Sequence, residues 1–514
     1  MLEKVQHLHT EIEAVTLQNK DEAEQFRLQY LSKKGTIQDL FKAFREVPAE
    51  EKKAFGAALN RLKQLAEDKH KSALEGFSKN VSREWGEKGI RSNCIVAGFM
   101  ETSMSSTLST ELKNKIMNSK NKLVLAYSGG LDTSYCAVHL SQDLDYEVHA
   151  VSVNTGGFTQ NEIQAIEAKA YKMGVSVYKN IEATEQFYQK VVKYLIFGNV
   201  LKNNTYPLSV SAERIIQALK IVEYAKTINA KYIAHGSTGA GNDQVRFDMI
   251  FQILAPEIEI ITPIRDNTLS REEEISYLNS KGIDLSWKKV KYSINKGLWG
   301  TSVGGDETLT SHLALPNEAY PSELKNTKQT LVKLRFRKGE LVAIDDQENT
   351  PVDNIQMLNT LASAYAVGRD IHVGDTIVGI KGRVGFEAAA ALIIIKAHHL
   401  LEKHTLSKWQ LQHKDNMASY YGMHLHEGQY LDPVMRDMES FFESSQANVT
   451  GDVELVLKPY HFLLNGVSSP YDLMKSEFGT YGEKNTAWTA QDAKGFIKIT
   501  ANQNKIIRNV NSKL

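Results

Sequence analysis

The chain has 514 residues, and 61 Lys and Arg residues balance 61 Asp and Glu residues, so its formal net charge is zero. This balance excludes the strongly basic composition of a dedicated nucleic-acid binder, although it leaves room for a local basic patch. The two cysteines, Cys94 and Cys136, exclude a disulfide framework and a Cys-rich zinc module, and no apolar run approaches the length of a membrane helix. We therefore expect a cytoplasmic enzyme of about three domains, at roughly 150 residues per domain.

Residues 1–78 are rich in Glu, Lys, Gln, Ala and Leu. Apolar residues recur at helical spacing from Leu8 to Tyr30 and from Phe55 to Leu65, and the sequence around Gly35 marks a break. The pattern predicts an antiparallel helical hairpin, which is typical of a solvated appendage or a dimerisation arm. The segments LQYLSKKGTIQDLF and VPAEEKKAFGAALNRLKQ resemble the amino-terminal coiled-coil arm of the phenylalanyl-tRNA synthetase α subunit, and this resemblance implies contact with tRNA.

A second unusual segment, FSKNVSREWGEKGIRSNCIVAGFMETSM, resembles the late strand and loop beside the nicotinamide in short-chain dehydrogenases. That family needs a glycine-rich dinucleotide turn and a Tyr-x-x-x-Lys pair, and neither precedes this segment. We therefore expect residues 79–118 to be a dehydrogenase-like fragment or linker without oxidoreductase activity. Because Met117 follows, the first 116 residues are either a genuine fusion or foreign sequence joined to the chain.

Short apolar, β-branched runs alternate with amphipathic stretches from Lys120 to about residue 290. The runs are KLVLAYS, EVHAVSVN, VSVYKNI, AKYIAHG and EIEIITPI. Strands joined by crossover helices form a parallel sheet whose ligand site lies at the carboxyl ends of its strands. The sequence thus predicts an α/β fold: a doubly wound parallel sheet in a nucleotide-binding domain over 119–285, then an α+β domain with a C-terminal helical tail over 286–514. We also predict a helix from Phe386 to His404.

The run Ala126–Ser134 follows the first of these strands and precedes a helix predicted at Tyr135–Leu140. Gly129 and Gly130 let backbone amides converge, and the amino-terminus of the helix adds unpaired N–H groups, so the run can hold pyrophosphate. It lacks the Gly-Lys-Ser/Thr ending of a P-loop, which argues against γ-phosphoryl transfer. The loop resembles the PP-motif of ATP pyrophosphatases, which cleave ATP between its α and β phosphates; the alternative is a plain strand–turn–helix junction.

A second glycine-rich loop, HGSTGAGNDQVRF, begins at His235 after another predicted strand. Its amides, with Thr238 and Arg246, suit carboxylates, and Asp243 suits an ammonium group, so the loop can hold a zwitterionic amino acid. The alternative for Asp243 and Arg246 is a simple surface ion pair between residues i and i+3.

Both loops, their order and the downstream sequence resemble argininosuccinate synthase over about 390 residues from Lys120. This resemblance implies condensation of citrulline with aspartate, using ATP carried with Mg²⁺. The ureido oxygen attacks the α-phosphorus, a citrullyl-adenylate forms as pyrophosphate leaves, and the aspartate amine then displaces AMP. A homotetramer is also implied, as is an oligomerisation role for residues 286–514.

The resemblance also assigns residues. ATP binding is implied for Ala126, Tyr127, Ser128, Gly129, Gly130, Leu131, Asp132, Thr133, Ser134, Val153 and Gly236. Binding of aspartate or citrulline is implied for Tyr206, Ser211, Thr238, Asn242, Asp243, Arg246, Ser293 and Ser302. We expect catalysis to depend on Asp132, on Arg214 as a cation near the phosphates, and on Asp243.

Two departures concern the amino-acid end of citrulline. Where the family carries a Glu-Asn-Arg stretch and a tyrosine, this chain has Gly374-Asp-Thr and Phe386. A carboxylate facing an α-ammonium is useful only if that ammonium is free. The substrate is therefore citrulline, with Asp375 or Glu387 replacing the missing acid, or an N-acyl-citrulline such as the acetyl or succinyl form.

Two further interpretations stay open at this point. The first is a tRNA-modifying enzyme of the PP-loop class that uses residues 1–78 as its RNA arm, but the neutral charge and the aspartate loop disfavour nucleic acid. The second concerns His398, His399, His404 and His413, whose spacing favours a surface or subunit-contact helix over a metal site. We assign no metal ligand from the sequence.

Overall fold

The computed structural model describes residues 2–15, 17, 20–32, 35–43, 52, 55–56, 58–70, 120–283, 291–475, 481–482 and 487–513. The chain divides into two compact units, Met1–Ser119 and Lys120–Leu514. The fragment expected at 79–118 lies outside the described residues. Within the described part of the chain, no helix is long and apolar enough to cross a bilayer.

The described residues of the first unit are mainly helical. Its described helices are α1 (Leu2–Ala14), α2 (Lys20–Phe26), α3 (Thr36–Ala43) and α4 (58–70), with a π-helical turn at Arg27–Leu31. Ile12, Phe26, Tyr30 and Leu62 are buried together, as the helical spacing predicts. The break near Gly35 is present because α3 begins at Thr36, but the first predicted helix is itself divided into α1 and α2.

The second unit begins with a five-stranded parallel sheet. Its strands are β1 (Lys122–Ala126), β2 (Glu147–Asn154), β3 (Val177–Glu182), β4 (Tyr232–Ala234) and β5 (Glu259–Ile261), in the order β3-β2-β1-β4-β5. Side chains alternate across the sheet: Leu123 and Leu125 pack into one core and Val124 into the other. Because both faces are covered, the strands read as nearly continuous apolar runs, and the doubly wound fold is confirmed.

Helices connect these strands. They are α5 (Leu131–Val138), α6 (Gln160–Lys172), α7 (Thr184–Phe187), α8 (Lys193–Phe197), α9 (Ser209–Thr227), α10 (Asp243–Leu254), α11 (Pro263–Asp266) and α12 (Arg271–Ser280), with π-helical turns at His139–Asp143 and Tyr188–Val192. The helix predicted at Tyr135–Leu140 begins earlier, at Leu131. Residues Leu131–Ser134 therefore form the first helical turn, where backbone N–H groups lack intrahelical acceptors.

The remaining chain forms two antiparallel sheets with flanking helices. Its strands are β6 (Ser293–Gly297), β7 (Gly300–Gly304), β8 (Thr330–Arg337), β9 (Glu340–Ile344), β10 (Gln347–Glu348), β11 (Arg369–Asp375), β12 (Lys381–Glu387), β13 (Gly451–Lys458) and β14 (His461–Ser468). Its helices are α13 (Pro351–Ser363), α14 (Ala389–Thr405), α15 (Lys408–His426), α16 (Pro433–Ser445), α17 (Ala490–Thr500) and α18 (Asn502–Asn511), with 3₁₀ turns at Asp306–Leu309 and Asn317–Ala319. The strand orders are β10-β9-β8-β13-β14 and β11-β12-β7-β6.

The structure corrects two predictions made from the sequence. The helix expected from Phe386 begins at Ala389, because Phe386 pairs with Ser302 of β7 and with Asp370 of β11 inside the four-stranded sheet. His398 is fully buried rather than at the surface, and its two ring nitrogens lie 2.6 Å from Asn199 Oδ1 and 2.8 Å from Gln446 Oε1.

Candidate active site

Three neighbouring strands end at one edge of the parallel sheet. Ala126 ends β1, Val153 lies one residue before the end of β2, and His235 follows β4. The β2-β1-β4 order places the phosphate loop between the other two carboxyl ends. The residues predicted to bind ATP are thus brought to one crevice, where parallel α/β sheets hold their ligands.

The phosphate loop is tightly turned. Gly129 has a φ of +76°, a left-handed conformation that side chains rarely adopt. Ser128 Oγ lies 3.3 Å from the Gly130 N–H and 3.3 Å from Thr133 Oγ1, while Ser134 Oγ donates to the Gly130 carbonyl at 2.7 Å. These contacts fix the loop ahead of the α5 amino-terminus, which is the arrangement that binds an oligophosphate.

The second glycine loop packs directly on the first. A Cβ atom at Gly236 would lie 3.1 Å from the Asp132 carbonyl carbon and 3.2 Å from the Thr133 nitrogen. Only a residue without a side chain allows this approach without displacing the phosphate loop. Gly236 therefore joins the two loops predicted to hold ATP and aspartate.

Asp132 faces an acid that the sequence analysis missed. Burial, and then the charge of Asp132, raise the pKa of Glu274 on α12 to about 8, so Glu274 is protonated at neutral pH. Glu274 Oε2 is buried without a hydrogen-bond partner in the described structure. No local pattern identifies Glu274, because it lies within the charged run REEEISYLNS, far from the loop in sequence.

Asp243 at the start of α10 is held by two arginines. Its Oδ2 accepts from Arg214 Nε at 2.7 Å and its Oδ1 from Arg246 Nη1 at 2.9 Å. Burial alone would raise the pKa of Asp243, but the charges of Arg214 and Arg246 lower it to about 2. The i,i+3 pair of Asp243 and Arg246 is present, but Arg246 is buried, so it is not a solvated surface pair.

His235 anchors the start of the aspartate loop. Its Nδ1 accepts from the Ser237 N–H at 3.2 Å, and its Nε2 lies 2.8 Å from Asp248 Oδ1. Arg265 Nη1 lies 2.7 Å from the other oxygen of Asp248. Burial would raise the pKa of Asp248, but the hydrogen bonds from His235 and Arg265 lower it below its usual range. This chain of contacts fixes the backbone next to Gly236 and Thr238.

The residues predicted to bind citrulline come from two regions. Tyr206 and Ser211 flank the start of α9, and both are buried; Ser211 Oγ donates to the Leu208 carbonyl at 3.1 Å. Ser293 and Ser302 lie on one face of the β6–β7 hairpin, because Ser293 pairs with Gly304, two residues beyond Ser302. The Gly300 turn of that hairpin contacts Ser209 of α9, which brings the two regions together.

Phe386 and His372 lie on the same sheet face as Ser302. The ring of Tyr206 is 5.3 Å from that of Phe386 and 5.1 Å from that of His372. A Cβ atom at Gly374 would lie only 2.7 Å from His372 Nε2. An imidazole therefore fills the space beside the position where the resembled family carries its glutamate.

The two acids considered as replacements for that glutamate have other partners. Arg369 Nε donates to Glu387 Oε2 at 2.9 Å, and both side chains are buried. Asp375 lies 2.5 Å from Lys381 Nζ, and its side chain is 67% exposed. Asn242 Oδ1 accepts from the backbone N–H of Ile377 at 2.8 Å, which ties the loop after β11 to the aspartate loop.

Glu213, next to Arg214, is another buried acid that sequence reasoning missed. Burial raises its pKa to about 8, against the opposing effects of Arg214 and Thr155. Thr155 Oγ1 donates to Glu213 Oε2 at 2.9 Å, whereas Oε1 is buried without a partner in the described structure. Glu213 thus lies between the carboxyl edge of the parallel sheet and the β6–β7 hairpin as a neutral carboxyl group.

Family profiles match most of the chain. Residues 122–284 match the arginosuccinate synthase N-terminal HUP domain, and residues 292–507 match the arginosuccinate synthase C-terminal domain. Ahead of them, residues 18–81 match the N-terminal domain of class II aminoacyl-tRNA synthetases, and residues 63–127 match an enoyl-(acyl carrier protein) reductase profile.

Curated relatives agree with the two longer matches. The argininosuccinate synthase of Methanocaldococcus jannaschii is 37% identical over 364 residues, which span 70% of this chain and 92% of the relative. That of Dictyoglomus turgidum is 37% identical over 388 residues, which span 75% of this chain and 97% of the relative. That of Staphylococcus saprophyticus is 37% identical over 385 residues, which span 74% of this chain and 95% of the relative.

Proposed function

Because the chain belongs to the argininosuccinate synthase family, an ATP-dependent ligase family that joins citrulline to aspartate in arginine biosynthesis, we propose roles for the individual residues of its site. The single observation that carries these roles is the packing of Gly236 on Asp132 and Thr133. This packing supports a position for the α-phosphate of ATP next to the loop expected to hold aspartate.

In this proposal the loop Ala126–Ser134 holds the phosphates, with Val153 and Gly236 completing the ATP site. The glycine conformation at Gly129 and the free amides of the α5 first turn support this role. Mg²⁺ accompanies the nucleotide, because magnesium is commonly held by substrate phosphates and one or two carboxylates. Asp132 is the loop carboxylate that would contact it, and the metal would neutralise charge on the departing pyrophosphate.

Arg214 and Arg246 have different roles around Asp243. Arg214 supplies a fixed cation at the edge of the phosphate loop, where negative charge develops as the ureido oxygen attacks. Arg246 and Asn242 orient citrulline with Tyr206, Ser211, Ser293 and Ser302. Asp243 and Thr238 orient aspartate so that its amine reaches the adenylated carbon. The enzyme thus works mainly by positioning reactants and by compensating charge.

We further propose that the ureido substrate is an N-acyl-citrulline. Three contacts support this: His372 fills the space beside Gly374, Glu387 is paired with Arg369, and Asp375 is paired with Lys381. None of these groups offers a free carboxylate to an α-ammonium. A clear preference for citrulline over N-acetylcitrulline in pyrophosphate release would contradict this specificity.

We expect the protein to form a homotetramer in the cytoplasm. The helices α17 and α18 carry an exposed apolar side that the described residues of the chain leave uncovered, which supports an arm that packs on other subunits. The exposed members of this side are Phe496, Ile497, Ile499, Ile506, Ile507 and Val510. Light scattering after size-exclusion chromatography should give four chains per particle, and removal of residues 487–513 should lower that number.

The direct test of the proposed reaction is an omission experiment. Over many turnovers, purified protein should release pyrophosphate and AMP in equal amounts only when ATP, aspartate and a ureido substrate are all present. Without aspartate, it should release at most one pyrophosphate per site and no AMP. Turnover with RNA in place of aspartate would favour the tRNA-modifying alternative, which the comparisons do not support. Repeated turnover of ATP to pyrophosphate without aspartate, beyond the one pyrophosphate per site that formation of the adenylate releases, would contradict the role given to the second loop.

A further inference from the structure

Four basic side chains meet at the end of the citrulline site. Arg246 Nη2, His372 Nδ1 and His426 Nδ1 are buried and find no hydrogen-bond partner among the described residues. The fourth side chain, Lys202, is only partly buried. The four side chains come from different elements: Lys202 precedes α9, Arg246 lies on α10, His372 on β11 and His426 ends α15. Buried donors without acceptors are rare, because each costs free energy.

The four groups are close to one another. Arg246 Nε donates to the backbone carbonyl of His426 at 2.9 Å, and the backbone of Lys202 is hydrogen-bonded to that of Tyr206, whose ring stacks on His372. Burial, and then the charges of Arg246, Lys202 and His372, lower the pKa of His426 to about 3. Burial, followed by Lys202, lowers the pKa of His372. The Tyr206 ring stacks on His372, so the cluster borders a residue predicted to contact citrulline.

Few acidic side chains near this cluster can neutralise its positive charge. Asp243 is occupied by Arg214 and Arg246, and Asp375 is largely exposed and paired with Lys381. Burial lowers the pKa of Lys202, and the charge of Glu427, which follows His426 and is half-buried, opposes this effect. The α-carboxylate of one amino acid leaves several of these nitrogen atoms unused. The charges of Lys202 and Arg246, with neutral imidazoles beside them, favour a substrate with a second anionic group.

Gly374 connects the cluster to the substrate's amino end. The position of a Cβ atom at Gly374 lies 2.7 Å from His372 Nε2 and 3.3 Å from Asn203 Nδ2, next to Lys202 in sequence. In the resembled family this position carries the glutamate that completes the amino-acid end of the citrulline site. A group attached to the α-nitrogen therefore extends beside His372 toward Lys202.

We propose that Lys202, Arg246, His372 and His426 bind a second carboxylate of the ureido substrate, so that the preferred substrate is citrulline carrying a dicarboxylic acyl group, such as succinyl, on its α-nitrogen. This inference rests on the proposed N-acyl-citrulline specificity. It adds a requirement for charge on the acyl group, which an acetyl group does not meet.

The test compares kcat/KM for citrulline, N-acetylcitrulline and N-succinylcitrulline, each with ATP and aspartate, in the full chain. The succinyl form should exceed the acetyl form by about tenfold or more, the effect expected of a charge-assisted hydrogen bond. Lys202→Met should reduce the succinyl-to-acetyl ratio by about tenfold, mainly through KM. Lys179→Met, an exposed control on β3, should leave the ratio unchanged, and thermal melting should establish that both variants fold.

The outcomes separate the proposals. Equal kcat/KM for the acetyl and succinyl forms, both above citrulline, would overturn the second carboxylate and keep the N-acyl specificity. Preference for free citrulline would overturn both. No turnover of any ureido substrate with ATP and aspartate would overturn the ligase reaction itself. A high succinyl preference that Lys202→Met does not change would contradict the assigned cluster.

Discussion

Arg214 Nε lies 2.7 Å from Asp243 Oδ2, an ion pair that joins α9 to the first turn of α10. Asp243 is thereby fixed between Arg214 and Arg246, one assigned to the phosphates and the other to citrulline. The carboxylate sets the spacing of the two guanidinium groups, so a change at Arg214 alters more than one contact.

Replacement of Arg214 by glutamine should lower kcat by about 100-fold or more, because a preorganised cation is lost where charge develops. The KM for ATP should change much less, since the backbone of the phosphate loop remains. Steady-state kinetics with each substrate varied in turn measure this split. Arg337→Gln, which alters an exposed arginine on β8, is the control. Equal losses in kcat for both variants would argue against the role of Arg214.

Glu274 predicts a pH dependence of stability. Its pKa rises from 4.5 to about 8 in the folded chain, so between these values the folded state binds more protons than the unfolded state. The free energy of unfolding should therefore fall as the pH rises from about 4.5 to about 8. Glu274→Gln should remove this loss and be more stable than the parent chain at pH 8.5, by roughly 1–3 kcal/mol.

Urea denaturation of the second unit at pH 5.5 and pH 8.5 measures this difference. Glu272→Gln, an exposed neighbour on the same helix, should follow the parent chain at both pH values. If Glu274→Gln also followed the parent chain, Glu274 would be ionised in the folded state and its proposed neutrality beside Asp132 would be wrong.

A side chain at Gly157 would clash between the loop after β2 and the β6–β7 hairpin. A Cβ atom there would lie 2.1 Å from the backbone carbonyl oxygen of Lys296, which cannot move without shifting β6. Gly157→Ala should destabilise the protein by about 1–3 kcal/mol and raise the KM for the ureido substrate. Gly466→Ala, whose Cβ atom would meet nothing within 4 Å, is the matched control for thermal melting.

The N-acyl specificity can be tested with a variant designed to prefer free citrulline. Removing the imidazole and restoring the acid and the phenol in one variant, His372→Ala with Gly374→Glu and Phe386→Tyr, should shift preference toward free citrulline by at least about tenfold. His372→Ala is needed because its ring occupies the space that a side chain at position 374 would enter. A variant that is active but keeps the parent preference would show that these residues do not select the amino end.

Deletion of residues 1–116 tests the role of the first unit. Because the residues proposed for the site all lie in Lys120–Leu514, the truncated chain should retain kcat within about twofold and keep the same oligomer size. Loss of activity in a folded truncated chain would make the amino-terminal unit part of the enzyme rather than an appendage.

Local sequence patterns predicted the strands and turns whose formation depends mainly on neighbouring residues. The run EVHAVSVN became β2 with the expected bounds, and the small residues around Gly129 formed a turned loop at a helix start. The sequence predicts a helix from Phe386, but pairing with Ser302 places this residue in β12. Tertiary pairing of this kind has no local signal.

Sequence reasoning missed Glu274 and His372 for the same reason, because their roles depend on tertiary contacts. Asp132 contributes to the raised pKa of Glu274 only because α12 packs against α5. His372 replaces an acid in space although it stands two residues away in sequence, since both positions share one face of β11. Composition and motif spacing cannot identify such contacts, which depend on the register of distant strands and helices.

The most direct test of the proposed chemistry uses a substrate labelled with ¹⁸O in its ureido oxygen. If that oxygen attacks the α-phosphorus and aspartate then displaces AMP, the label must appear in AMP and be absent from pyrophosphate. Mass spectrometry of the two products after a single turnover measures its position. One ¹⁸O atom per AMP is the predicted result; unlabelled AMP, or label in pyrophosphate, would contradict an adenylated ureido intermediate in this protein.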